Sequence, residues 1–168
     1  MNRFLRHGLV AVVFALVVGL WAWTAYATSG AHFFSATNSV NSSGALVTSF
    51  DEAGLGQETV NYTLTVDTAT ATYACINNGG KHPSASNKET VSSGLTGTAA
   101  FTPKNGRVSG SITVGPLSAG TFSCPSGQSL VLARVTYSGI LLTDTTNSVS
   151  IEPTPDPICR SFSSLFPC

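Results

Sequence analysis

Few side chains in this chain could do chemistry: three histidines, four cysteines and eight acids among 168 residues. Asp51, Glu52 and Asp144 offer the hard oxygen ligands that calcium takes at the edge of a β domain. They follow no D-x-D-x-D-G pattern, so solvated turn acids are the plain reading and no metal is expected. Asn78, Gly79, Gly80, Lys81 and His82 make a glycine-rich stretch whose backbone N–H groups and lysine could cradle an anion. It is not a P-loop, because His82 rather than Ser or Thr follows the lysine. These five residues are the candidate ligand loop, and an ordinary turn beside a disulfide is its plain alternative. A serine hydrolase needs an activated serine. No G-x-S-x-G occurs, and beyond the N-terminal segment the imidazoles are His32 and His82. No catalytic constellation and no cofactor follow from these residues, so the expected role is non-enzymatic.

Cys75, Cys124, Cys159 and Cys168 contain no C-x-x-C pair, which argues against a zinc site. An even count in an exported chain points to two disulfides, with three possible connectivities. The favoured one joins Cys75 to Cys124 and Cys159 to Cys168. On the chain-entropy model the first closes a loop of about 50 residues worth roughly 4 kcal/mol, and the second a small ring worth somewhat under about 3.

Export itself is read from the N-terminus. Arg3 and Arg6 precede an apolar run from Leu9 to Trp23, and Ala25-Tyr26-Ala27 supplies a small-x-small site. This is the anatomy of a signal peptide, with cleavage expected after Ala27. The run is shorter than the roughly 20 residues of a spanning helix. An uncleaved anchor is the alternative. No apolar segment closes the chain, so no C-terminal anchor is expected. The expected product is secreted and extracellular. Losing Arg3 and Arg6 with the leader leaves six basic against eight acidic side chains, a net charge of −2. Without a basic cluster, nucleic acid is not an expected partner.

What must position these groups is β structure. Val60, Tyr62, Leu64 and Val66 alternate with polar residues, the mark of a strand with one buried face. The alternation resumes on the other parity at Ala69, Ala71, Tyr73 and Cys75, which predicts a bulge near Asp67-Thr68. Val131, Ala133, Val135 and Tyr137 repeat the pattern, with a phase shift at Ser138-Gly139 before Ile140 and Leu142. Shorter strands are expected at about 32–40, 44–50 and 147–152. Asn105-Gly106 is the preferred pair for a two-residue type I′ turn. It predicts a hairpin of strands 95–103 and 107–115 with Phe101 opposite Gly110. Phe33, Phe34, Phe162 and Phe166 are the aromatics this core pattern does not use. Asn41-Ser42-Ser43 and Asn61-Tyr62-Thr63 match glycosylation acceptors, as chance allows in a chain this rich in Asn, Ser and Thr.

The sum is an all-β protein: an antiparallel β-sandwich, Ig-like or similar, stapled by disulfides. Residues 1–27 are the signal peptide, 28–152 the sandwich, and 153–168 a Pro-rich spacer with PPII bias and a cysteine-closed tail.

Several segments resemble a family of small, secreted, functionally uncharacterised actinobacterial proteins. They are Ala31-His32-Phe33, Glu52-Ala53-Gly54-Leu55-Gly56, Cys75-Ile76-Asn77-Asn78-Gly79-Gly80-Lys81-His82-Pro83, Lys104-Asn105-Gly106-Arg107, Cys124-Pro125 and Leu142-Thr143-Asp144-Thr145-Thr146. The likeness covers roughly residues 31–150, and the tail looks like an addition to it. It implies export and a β fold, supports pairing Cys75 with Cys124, and supplies no activity. Two partner classes are expected: cell-wall glycan, as for a carbohydrate-binding module, or another surface protein. An enzyme with a carboxylate or calcium site is the remaining alternative, and it requires two or more acids converging in one pocket.

Overall fold

A computed structural model of the chain describes residues 30–77 and 87–168. Residues 1–27, where a signal peptide is expected, and the candidate loop residues Asn78, Gly79, Gly80, Lys81 and His82 lie outside the described residues. Eight strands are present among the described residues: β1 His32–Val40, β2 Leu46–Ala53, β3 Val60–Asn77, β4 Lys88–Phe101, β5 Arg107–Val114, β6 Gln128–Asp144, β7 Val149–Ile151 and β8 Ile158–Ser161. They form two antiparallel sheets packed face to face. The smaller has the order β1-β2-β5, and the larger β4-β3-β6. The far edge of β6 is shared, with β7 pairing residues 142–144 and β8 pairing residues 134–137.

The period-two pattern explains the core. Val60, Tyr62, Leu64 and Val66 of β3 turn inward, and so do Leu46 and Phe50 of β2 and Val108, Ile112 and Val114 of β5. The expected bulge is present: Val66 pairs with Leu95 and Ala69 with Ser93, so Asp67 and Thr68 together face Gly94. Ala69 and Ala71 then continue inward on the new parity. On β6 the phase shift coincides with Gly139, which has φ 66°.

The hairpin expectation needs correction. Its turn forms: Asn105 and Gly106 have φ 53° and 72°, and Lys104 and Arg107 exchange backbone hydrogen bonds of 2.8 and 3.1 Å. The ladder goes no further. The two arms diverge into opposite sheets, β4 onto β3 and β5 onto β2. Pro103 cannot donate to a ladder, which breaks pairing one residue past the turn. The expected levels survive as contacts across the core. The Phe101 ring lies on Gly110, where a Cβ would come within 2.8 Å of Cζ, and Gly97 lies against Val114 and Ile112.

Residues 153–168 also differ from the expected spacer and tail, because they are built into the sandwich. β8 lengthens the larger sheet, and Thr154 bridges to Thr37 of β1. The Asn38 side chain donates to the carbonyls of Pro153 and Pro155 at 3.0 and 3.1 Å. Cys75 is bonded to Cys124 and Cys159 to Cys168, with Cα–Cα distances of 5.4 and 5.8 Å. No helix among the described residues is long and apolar enough to cross a membrane.

Candidate functional site at one pole of the sandwich

One end of the sandwich gathers the start of β1, β3 and β5 and the end of β2, β4 and β6. Antiparallel register fixes this: Phe33 pairs with Glu52, Glu52 with Val108, Val60 with Phe101, and Tyr62 with Asp144. Leu55 N–H closes the pole by donating to Gly106 O at 3.1 Å. Segments 31–33, 52–56, 104–107 and 142–146 meet here.

Strand alternation divides the pole into an interior and a surface. Inside, Phe33, Phe50, Tyr62 and Phe101 pack as a cluster with ring centroids 4.6–6.4 Å apart. Buried among them are two carboxylates, Glu52 and Asp144, both 0% exposed. Asp144 is well supplied with donors. Its Oδ1 accepts from the N–H groups of Thr146 and Asn147 at 2.8 and 2.9 Å, and its Oδ2 from Asn147 Nδ2 at 2.6 Å. Glu52 comes from the opposite sheet. Neither of its oxygens, nor the Tyr62 hydroxyl, has a hydrogen-bond partner in good geometry. Burial pushes the Glu52 carboxyl up to about 7; the neighbouring Tyr62 hydroxyl opposes this and the Asp144 charge adds to it. Burial also pushes the Tyr62 phenol up, and Glu52 adds to the effect.

Outside, the bulge in β1 leaves Phe34 unpaired between Phe33 and Ser35. A bulge re-aims a side chain, and here Phe34 points to solvent with 59% exposure. The Arg107 guanidinium lies over its ring at 4.8 Å, and the His32 ring meets it edge-on at 4.8 Å. Arg107 also forks onto Asp51, with Nε 2.7 Å from Oδ1 and a second bond from its terminal nitrogen to Oδ2. This partner holds the Asp51 carboxyl below the usual range. Ser109 Oγ adds a bond to Asp51 at 3.3 Å. Beside this group opens a cleft of about 390 Å³, lined by Phe101, Thr102, Lys104, Arg107, Val108 and Ser109.

The three acids proposed for calcium are therefore divided. Glu52 and Asp144 converge inside, whereas Asp51 lies on the outer face with Arg107. No group of three or more His, Cys, Asp or Glu converges among the described residues. Glu52 and Asp144 do not line the cleft beside Arg107. His32 stands at the pole; His82 is outside the described residues. Of the unassigned aromatics, Phe33 joins the core, Phe34 is exposed, Phe162 lies beneath Arg160 and Phe166 beneath Lys88. The residues that sequence reasoning missed are Tyr62 as a polar group and Arg107 as a ring partner. The adjacent pair Phe33-Phe34, which breaks alternation, was the available signal for the bulge. No family model, curated protein or solved structure matches the chain.

Proposed function

We propose that this is an exported, non-enzymatic binding domain whose contact surface is the outer face of this pole, and that its ligand is a glycan of the cell envelope. The observation that carries the reading is Phe34, an exposed ring fixed beside a guanidinium–carboxylate pair and an open cleft. Sugar rings offer C–H faces to an aromatic side chain and hydroxyls to polar groups. Asp51, Arg107, Ser109 and Thr102 supply acceptors and donors within one small area. The Arg107–Asp51 pair neutralises itself, which suits a ligand rich in hydroxyls better than a strongly charged one. Two disulfides and the N-terminal segment support export. The acids that converge lie in the interior and do not line the cleft, which supports a binding role over a catalytic one.

The test is a binding titration of the secreted protein against purified peptidoglycan and a panel of soluble polysaccharides. Phe34→Ala should weaken binding by at least about tenfold, as loss of a central aromatic anchor does. Its melting temperature should stay near wild type, since the ring is exposed. Equal binding by the variant, or no binding by wild type across the panel, would reject the reading.

A further inference from the structure

We infer that Glu52 and Asp144 hold a single proton between them across the two sheets, and that losing it loosens this pole of the sandwich. The geometry carries the argument. Two carboxylates with no solvent exposure, Glu52 of β2 and Asp144 of β6, stand at the same pole in opposite sheets and close enough to interact. Two like charges in a dry interior cannot both be ionised without a counter-ion. Among the described residues, no element packed here supplies a buried one. β3 contributes Tyr62, a phenol. β4 contributes Phe101 and β5 Val108, both apolar. The 145–148 turn contributes Asn147, which is neutral. β1 contributes His32, the one titratable base that faces Glu52, and it sits at the exposed rim. Arg107 and Asp51 satisfy each other on the outer face.

The proton resides on Glu52. Three N–H groups already donate to the Asp144 oxygens. None surrounds Glu52, whose two oxygens are unpartnered, as is the Tyr62 hydroxyl. A protonated Glu52 becomes a donor, and the Asp144 carboxylate is the acceptor beside it. Deprotonation sends that proton to bulk water and leaves two interacting anions at the junction of the sheets. The upward displacement of Glu52 to about 7 has the same sense.

The sign follows. Glu52 binds its proton more tightly in the folded chain than in the unfolded one, where an ordinary glutamate titrates at about 4.3. The stabilisation is complete below that value. It is lost as pH rises through about 7, the folded value. The contribution of this one proton to the folding constant falls by up to about tenfold per pH unit between the two values and is flat above.

The inference goes beyond the glycan reading and does not depend on it, because its test uses no glycan. Carboxyl ¹³C NMR of the wild-type protein follows Glu52 from pH 4 to 9. A midpoint near 7 is expected, and a downward move of that midpoint in Asp144→Asn, which removes the neighbouring charge. The backbone amides of Val108, Thr146 and Asn147 should shift with the same midpoint. Denaturant unfolding over the same range should show a fall for wild type relative to Glu52→Gln, which mimics the protonated form. A Glu52 midpoint in the ordinary carboxylate range would overturn the shared proton. Titration near 7 with unmoved amides at 108, 146 and 147 would overturn the loosening.

Discussion

Gly139 is the residue where the two central strands of the larger sheet come closest to collision. It lies in the left-handed region with φ 66° and faces the bulged Asp67. A Cβ there would stand 2.7 Å from Asp67 Cβ and 2.5 Å from Oδ2. Gly139→Ala should therefore cost about 2–3 kcal/mol, from the backbone penalty of roughly 1–2 kcal/mol plus the clash. Denaturant unfolding checks this, and Asp67→Ala in the same chain should recover part of the loss through a double-mutant cycle. A cost below about 0.5 kcal/mol, the range of ordinary surface changes, would contradict it. The phase shift that marks this spot is visible in the sequence, because alternation breaks at Asp67 and again at Gly139. The buried acids were legible by the same rule and were missed for a specific reason. Leu46, Thr48, Phe50 and Glu52 share one parity, as do Ile140, Leu142 and Asp144. A strand expected to end at 50, and an apolar series that stops at Leu142, leave both acids one step outside, where an acid reads as a turn residue.

At the scale of elements, the segment after Glu152 illustrates what composition hides. Pro153, Pro155 and Pro157 read as a solvated spacer, yet Pro153 is fully buried. Prolines at every second position leave the intervening N–H groups free to pair, which suits an edge position. Thr154 N–H donates to Ala36 O at 3.2 Å, and Asn38 N–H to Thr154 O at 2.8 Å. Arg160 donates to the carbonyl of Val40. The segment thus joins β1 of one sheet to β6 of the other and closes that side of the sandwich. Deleting residues 153–168 should abolish the cooperative thermal transition or lower its midpoint strongly. It strips an edge of β6 and leaves Asn38, which is 7% exposed, without its carbonyl partners. Circular dichroism melts compare the two chains, and an unchanged transition would restore the independent-tail reading. The turn at Asn105-Gly106 carries a related lesson. Alternation says which residues face inward, and the turn says where the chain reverses. Neither distinguishes a partner across a ladder from a partner across the core, so Phe101 meets Gly110 at the expected level but from the opposite sheet.

For the whole molecule, the two sheets are unequal in length. β3 and β6 have 18 and 17 residues, whereas the strands of the smaller sheet have 8 or 9. The inner face of the larger sheet runs on past its partner, and Ala71 and Cys75 there are still buried. The connection from β5 to β6, residues 115–127, contributes to that cover. Leu117 packs against the core, and the Tyr73 hydroxyl donates to Leu117 O at 2.7 Å. A strandless connection has no ladder to hold it, so the Cys75–Cys124 bond does that task at the pole opposite the candidate site. The two disulfides should therefore differ in weight. Cys75–Cys124 spans 49 residues and Cys159–Cys168 spans 9. Chain entropy gives about 4 kcal/mol for the longer loop and about 2.6 for the shorter. The packing beneath residues 115–127 adds to the first, because an unpinned connection can lift and wet the end of β3. Replacing Cys75 and Cys124 by alanine should cost more in denaturant unfolding than replacing Cys159 and Cys168, by at least about 1.5 kcal/mol. The tail ring has a compensating hold of its own, since β8 is hydrogen-bonded to β6 whether or not the ring is closed. The reverse order of costs would mean that the tail, and not the long connection, depends on its cross-link.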